Sequence, residues 1–252
     1  KLRSFASSMR DAASRLSSVA LWNTTTATSA DDSAVKVSAA SGAAASDYGV
    51  SVQRLATRQT VTTGAFASSA APVGEGTLTI ELGTWAGGFT AKAGATPLTI
   101  SLGAGETSLA AVRDKINAAN AGVTATVLND GSGARLLMRS SATGTESAFR
   151  TSGMSAFGFD PSSGPGAMTQ TQAAGNAAAT IDGLAITSQS NTLANLVDGI
   201  TLTLGQITTA PVELAVAQDN DALKKAVQTF ADAYNALATL IAGQVKYDAG
   251  SK

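Results

Sequence analysis

The 252-residue sequence contains no histidine and no cysteine. Without histidine the chain lacks the commonest general acid/base and the commonest metal ligand of proteins, which excludes most hydrolase triads and transition-metal sites. Without cysteine it has no disulfides, no thiolate nucleophile and no cysteine-based zinc site. A glycosidase that uses a pair of carboxylates stays open as an alternative. We interpret the available glutamates as solvated surface residues; they are Glu75, Glu81, Glu106, Glu146 and Glu213.

Charge of one sign and long apolar runs are also scarce. The 17 basic and 18 acidic residues nearly cancel and form no run, so no electrostatic footprint for nucleic acid is visible. No apolar stretch approaches the roughly 20 residues that span a bilayer, and no signal peptide opens the chain. We therefore predict a protein that is not an enzyme, takes no cofactor or metal, and neither binds nucleic acid nor inserts into a membrane.

Both ends of the chain carry apolar residues at alternating spacings of three and four, the repeat that places a stripe along one side of a helix. We expect the first helix to run from about Ser4 to Leu21, and the last to begin at a cap among Asp219, Asn220 and Asp221. The two helices should pack side by side. The stripe residues are Leu223, Val227, Phe230, Tyr234, Leu237 and Ile241 near the end, and Phe5, Met9 and Leu16 near the start.

This stripe permits two roles. It is either the core of a helical domain, which we favour, or a direct contact surface for another subunit or partner. Both roles can hold for different faces of the helix. In the second case the polar neighbours to test for partner binding are Lys224, Lys225, Gln228 and Asp232.

Between the helices the sequence is β-rich. We predict an elongated, multi-domain α+β fold with a helical domain formed by both chain ends (1–45 and 218–252) and two β-rich domains. One β-rich domain is discontinuous (46–70 and 173–217), and an α+β domain (71–172) is inserted into it. Alternating apolar residues predict most of the strands. We expect Ser140 to Gly175 to be loop-rich and Ser190 to Gly199 to be a short helical turn or ordered loop.

Trp85 and Phe89 flank a glycine-rich turn inside the inserted domain. Two exposed aromatic residues in such a loop would form a binding tip. The alternative, which we weight more heavily, is that they cover the local core. The interior helix, predicted over Glu106 to Gly122, reads as structural.

Three stretches resemble the flagellar filament cap proteins, the hook-associated protein two family. The first runs from Thr180 to Leu204 and contains Asp182-Gly183 and Asp198-Gly199. The second begins at Tyr48 with alternating Val50 and Val52. The third, Thr99 to Val127, resembles a motif shared by flagellins and cap proteins. Order and spacing match over nearly the whole chain, so the set is more specific than any one piece.

The resemblance implies a structural assembly protein, secreted and located at the tip of the bacterial flagellum. In that family the cap is a homo-oligomeric ring that helps exported flagellin fold and insert into the filament. Implied partners are therefore a second copy, flagellin, other hook-associated proteins and an export chaperone. Family members carry coiled-coil segments at both ends, and we expect this chain, which begins at Lys1, to be a core fragment lacking them.

The main rival function is a surface adhesin whose loops around Trp85 or Phe157 bind a host ligand such as mucin or another glycan. Cell adhesion could also be a second role of a cap. A flagellin is a related alternative, but flagellin ends are normally longer helical arms. The run from Thr180 to Leu204 fits the cap family better.

Overall fold

The computed structural model of the chain describes residues 1–197 and 199–244. Within them the helices are α1 (Leu2–Leu16), α2 (Val19–Trp22), α3 (Leu109–Ala119) and α4 (Asn220–Gln244). The strands are β1 (Thr25–Ser29), β2 (Val35–Ala39), β3 (Ser46–Arg54), β4 (Thr60–Thr63), β5 (Gly76–Trp85), β6 (Phe89–Ala91), β7 (Leu98–Leu102), β8 (Val123–Asn129), β9 (Ala134–Ser140), β10 (Ala148–Ser152), β11 (Met168–Gln172), β12 (Ala177–Ile181), β13 (Leu184–Ser188), β14 (Thr192–Val197), β15 (Ile200–Leu204) and β16 (Val212–Gln218).

The chain divides into two compact units. Within the described residues the first combines 1–48, 194–202 and 212–244, and the second combines 49–193 and 203–211. Each unit contains strands that pair antiparallel, so the α+β class is confirmed. The finer division into three domains stays a prediction.

In the first unit the two ends of the chain lie together. α1 contacts α4 along its length, as the two apolar stripes predict, and β1 pairs with β16 from Thr25 opposite Gln218 to Ser29 opposite Leu214. The sheet of β14, β15 and β2 contributes buried residues such as Val35 and Ile200. Leu214 and Val216 of β16 are buried as well.

Two sequence expectations for the first unit were wrong. The first helix does not continue to Leu21, because Ser18 takes an extended backbone conformation and separates α1 from the short α2. The Trp22 indole then donates to the Leu16 carbonyl over 2.7 Å, which satisfies an acceptor that the helix end leaves free. The stretch Ser190 to Gly199 is not helical, because β14 occupies Thr192–Val197.

The second unit is built on two four-stranded sheets and a third group of strands. The order is β10-β5-β6 with β7 also paired to β5 in one sheet, and β11-β4-β9-β8 in the other. α3 packs with them, and a common core forms around fully buried side chains such as Phe149, Phe157, Leu109 and Met138. The third group is the antiparallel set β3, β12 and β13.

The expectation that Ser140 to Gly175 is loop-rich was wrong in part, since β10 and β11 lie within it. β10 pairs with β5 across the sheet, from Ala148 opposite Gly83 to Ser152 opposite Thr79. β11, which has polar residues after Met168, pairs with β4 at an edge and leaves four of its five residues exposed. Polar residues on both faces of a short strand give no alternation for sequence reasoning to detect. The predicted helical turn is confirmed at Ser155–Phe157.

α3 is shorter than the predicted span and begins as expected. The Ser108 side chain accepts from the Ala111 N–H over 3.1 Å, which caps the helix. The helix ends at Asn120, in left-handed conformation with φ 46°, before Gly122 is reached. Two hairpins form, β8 with β9 and β12 with β13.

Three carboxamide side chains each bond both backbone groups of one other residue. Gln59 is fully buried and bridges the N–H and C=O of Phe149 at 3.1 and 2.7 Å. Asn117 bridges Ala125 at 2.8 and 2.9 Å. Asn191 bridges the two backbone groups of Ala56 at 2.6 and 3.0 Å. Each amide thus makes the two backbone hydrogen bonds that a neighbouring strand would otherwise make.

Replacing Gln59 by Ala tests the strongest of these bridges. The change leaves the buried N–H and C=O of Phe149 without partners, so we expect the free energy of unfolding to fall by about 2–5 kcal/mol. Gln53→Ala is the matched control, because Gln53 is exposed and makes only a 3.3 Å bond to the Thr180 hydroxyl. That control should change stability by less than about 0.5 kcal/mol. Urea unfolding followed by circular dichroism measures both, and equal losses would contradict the bridge.

The β8–β9 turn generates a pH-dependence prediction. Hydrogen bonds from the Ser132 hydroxyl and backbone N–H, and from Arg135, lower the pKa of Asp130 from 3.8 to about 2. A carboxyl whose folded pKa is depressed stabilises the fold above its unfolded pKa, and this stabilisation is lost as the pH falls toward the folded value. Asp130→Asn should therefore be less stable than the wild type at pH 6, and the gap should narrow between pH 4 and about 2. A gap of constant size from pH 6 down to about 2 would contradict the prediction.

Candidate functional site

The candidate site from the sequence is the stripe on the terminal helices, and α4 is its larger part. Asp219 caps α4, because its carboxylate accepts from the Ala222 N–H over 2.9 Å. Asp221 adds negative charge in the first turn, where the helix dipole is positive, and Lys224 reaches it at 3.4 Å. The cap therefore falls on the first of the three predicted candidates.

The predicted stripe on α4 separates into two rows with a seven-residue spacing. Leu223, Phe230 and Leu237 are half-buried. Val227, Tyr234 and Ile241 are exposed, with 51%, 53% and 46% of their surface accessible. One apolar row is thus partly covered within the unit, and the other faces solvent.

Sequence reasoning missed the residues that complete the covered face. Ala226, Ala233 and Leu240 are half-buried, three positions after Leu223, Phe230 and Leu237. The two sets together give alternating spacings of three and four, the a and d positions of a helix seam. Alanine is too small to stand out as a stripe residue, so this register was missed although its spacing is present in the sequence.

α1 supplies the opposite side of the contact. Phe5, Met9 and Leu16 are half-buried, and Ala12 is buried with 5% of its surface accessible. A groove of about 470 Å³ runs between the helices, lined by Met9, Tyr234, Leu237, Ala238, Ile241 and Ala242. The structure therefore brings Met9 of one stripe beside Tyr234, Leu237 and Ile241 of the other.

The polar surface beside the exposed row is the one named from the sequence. Lys224, Lys225, Gln228 and Asp232 are all exposed. Gln228 donates to Asp232 over 2.8 Å, one turn along the helix. The exposed apolar row therefore lies on a helix that carries charges of both signs.

The second sequence candidate, Trp85 with Phe89, is half-buried rather than projecting. The two rings lie 4.9 Å apart, and Phe159 meets Trp85 edge-on at 6.1 Å. Arg150 lies 4.7 Å over the Phe89 ring and contacts Glu81 at 2.5 Å. Trp85 packs against the core of the second unit. Both roles considered for the Trp85–Phe89 pair, core covering and ligand binding, stay predictions.

The charged side chains near this aromatic group interact with one another. Glu81 raises the pKa of the Arg150 guanidinium chiefly through their hydrogen bond. The hydroxyl of Ser162 lowers the pKa of Asp160, with Arg150 at 3.7 Å a smaller cause. The arrangement holds Arg150 between Glu81 and Asp160. It supports packing more than chemistry.

Metal-binding groups and membrane-spanning helices would each bear on function. Among the described residues no group of three or more acidic side chains is placed to hold a metal ion. In the same part of the chain no helix is long and apolar enough to cross a membrane.

Comparison with solved structures decides the family. The D1-D2-D3 domains of the flagellar cap protein from Escherichia coli superpose with a TM-score of 0.77 at 33% identity, over 98% of this chain and 69% of that chain. The chain belongs to the flagellar hook-associated protein 2 family. Its family models match at residues 1–59 for the N-terminus and 174–252 for the C-terminus, and the flagellin hook IN motif matches at 86–142.

Curated members of the flagellar hook-associated protein 2 family agree. The B-type protein of Pseudomonas aeruginosa is 31% identical over 96% of this chain, and the Escherichia coli K12 protein is 33% identical over 98%. The alignment covers 53% of each relative. The chain therefore spans about half the length of the curated relatives it matches.

The two rows on α4 predict different responses to truncation. Leu237→Ala should lower the free energy of unfolding by about 1–2 kcal/mol, less than at a fully buried leucine because Leu237 is only partly covered. Tyr234→Ala, on the exposed row of the same helix, should change it by less than about 0.5 kcal/mol. Alanine is the best helix former in both cases, so helix propensity does not explain a loss. Thermal unfolding followed by circular dichroism at 222 nm measures the stability of both variants. A larger loss of stability for Tyr234→Ala than for Leu237→Ala would show that the covered and exposed rows are assigned wrongly.

Proposed function

We propose that the chain is part of a flagellar filament cap protein, a structural protein carried outside the cell at the tip of the flagellum. The observation that carries the proposal is the likeness, over nearly the whole chain, to the domains of a flagellar cap protein. Both family models, one at each end of the chain, support it. The absence of histidine and cysteine from the sequence agrees with a structural role.

In this proposal the cap is a ring of identical subunits that promotes flagellin folding and insertion. The apolar face of α4 supports the self-association step, since Val227, Tyr234 and Ile241 form a second apolar row beyond the one that is partly covered. The flagellin hook IN motif supports a relation to flagellin. Other hook-associated proteins and an export chaperone are further partners that the family suggests.

The side chains on this face of α4 suit a contact that must form and also break. A ring that admits flagellin subunits needs contacts that form and break, which are smaller and more polar than those of obligate assemblies. Val227 and Tyr234 would supply the apolar part of such a contact. Lys224, Lys225 and Asp232 would surround it with solvated charges, whose attraction is screened by salt.

A chimera tests the proposal. In it this chain replaces the matching segment of the Escherichia coli flagellar hook-associated protein 2, so the rest of that protein supplies the remaining length. We expect the chimera to form a discrete ring-sized oligomer by size-exclusion chromatography with light scattering, while this chain alone forms smaller species. The unmodified Escherichia coli protein is the positive control. A chimera that stays monomeric in a buffer where the parent assembles would contradict the proposal.

Within the chimera, Tyr234→Ala should weaken assembly at least about tenfold, the change that follows from losing one well-placed aromatic anchor. Gln228→Ala, at an exposed polar position of the same helix, is the matched control and should have little effect. Circular dichroism should show both variants folded. Equal assembly by the two variants would exclude the exposed row as the contact.

A further inference from the structure

The strand β13 forms an open edge of its sheet. It lies at the end of the strand order and pairs on one side with β12, from Leu184 opposite Ile181 to Ser188 opposite Ala177. Among residues 1–197 and 199–244 no strand pairs with its other side, and no side chain bonds its backbone there. An edge of this kind is a template for pairing with another chain.

Three other edge strands in the second unit are partly covered or irregular. On β10, the Gln59 amide bonds the free backbone groups of Phe149, and Phe159 exchanges two backbone bonds with Thr151. On β8, Asn117 bonds both backbone groups of Ala125. β11 carries a register shift between Gln170 and Gln172, an irregularity that disfavours further pairing. Within the described residues, β13 carries no comparable bridge on its open side.

β13 also lacks the usual protections of an edge strand. Its sequence, Leu184 to Ser188, contains no charged residue and no proline, and it pairs with β12 without a bulge. Leu184 on this strand is 71% exposed. An exposed apolar side chain on an edge strand favours association with another chain. Natural sheets usually place lysine, proline or a bulge at such positions.

The edge is also held rigidly. The turn before β13 has Asp182 and Gly183 at φ 49° and 84°, the positive values that a two-residue hairpin turn needs. Asp182 is fixed to Gly49, because its N–H donates to the Gly49 carbonyl over 2.9 Å and its carboxylate accepts from the Gly49 N–H over 2.8 Å. A strand that is already ordered loses little entropy when a partner pairs with it.

The turn fixes which backbone groups point outward. In a two-residue hairpin the residues that flank the turn, Ile181 and Leu184, form a hydrogen-bonded pair. Backbone groups alternate in direction along a strand, so Leu184, Ile186 and Ser188 point toward β12. Ala185 and Thr187, both exposed, present their N–H and C=O groups to the open side.

We propose that β13 pairs antiparallel with β13 of a second copy of this chain, in the register centred on Ile186. In that register Ala185 of each copy lies opposite Thr187 of the other, so every outward group finds a partner. Ile186 meets Ile186 in the non-hydrogen-bonded position, and no like charges are opposed because the strand carries none. This self-complementarity favours a second copy over an unrelated strand.

The pairing is independent of the proposed ring. A contact between the same patch on two copies is isologous and closes as a two-fold pair, whereas a ring of more subunits needs contacts between different patches. A five-residue strand pair buries far less than the roughly 1,200–2,000 Å² of a stable interface, so the pair is weak on its own. Detection therefore needs high protein concentration or a covalent trap.

The absence of native cysteine makes a disulfide trap selective. Ile186→Cys places two thiols across a non-hydrogen-bonded pair whose Cα atoms lie about 4.5 Å apart, within the disulfide range. Mild oxidation of this variant should give a covalent dimer on a non-reducing gel, increasing with protein concentration. Absence of a dimer at millimolar protein would overturn the proposal.

Thr187→Cys is the matched control on the same strand. In the proposed register the two copies of position 187 are diagonal neighbours about 7–8 Å apart, too far for a disulfide. Position 187 is the more exposed of the two, so random collisions would cross-link it at least as well as position 186. We expect about tenfold more dimer from Ile186→Cys. Equal yields would reject the specific register.

A second variant separates backbone pairing from apolar contact. Adding Thr187→Pro to Ile186→Cys removes an outward N–H and leaves the bonds to β12 in place. Cross-linking should fall at least about fivefold, the loss expected when a strand-pairing donor is removed, while circular dichroism shows an unchanged fold. If the double variant cross-links as well as Ile186→Cys, side-chain contact accounts for the dimer, and the strand pairing is wrong.

Discussion

The fold depends on the rule that every buried backbone N–H and C=O group must find a hydrogen-bond partner. Strands supply most partners, and where strands end the chain uses carboxamide side chains, which carry one donor group and one acceptor in the arrangement of a peptide. Gln59, Asn117 and Asn191 each satisfy one residue in this way. Gln59 does so with no exposed surface, so its amide belongs to the core as fully as the phenylalanine it bonds.

Two of these bridges join segments that are distant in sequence. Asn191 reaches Ala56 across 135 residues, and Gln59 reaches Phe149 across 90. The strand pairs follow the same pattern, since β12 pairs with β3 and β16 with β1. Closing such long loops costs entropy that only the complete set of contacts offsets. Phe149, which Gln59 bonds, is fully buried in the second unit, and so is Phe157.

The sequence could predict the elements whose chemistry is periodic. The heptad stripes gave both terminal helices and their contact, alternation gave strands such as β7 and β15, and Asp182-Gly183 gave a hairpin. The misses have a shared cause. β11 is polar along most of its length, and β1 consists of threonine, alanine and serine, so neither strand shows an apolar alternation. The stripe on α4 was read as one face, because alanines at 226 and 233 are too small to mark the covered seam.

The two surfaces that stay open to association differ in the kind of contact they allow. Val227, Tyr234 and Ile241 offer apolar area, and hydrophobic attraction is non-directional, so a partner there could shift while remaining bound. The edge of β13 offers backbone donors and acceptors, which weaken steeply when misaligned. A slip of one residue would also turn every side chain of β13 to the other face. The helix row therefore suits a contact that rearranges, and the strand edge suits one that either forms in a single register or does not form.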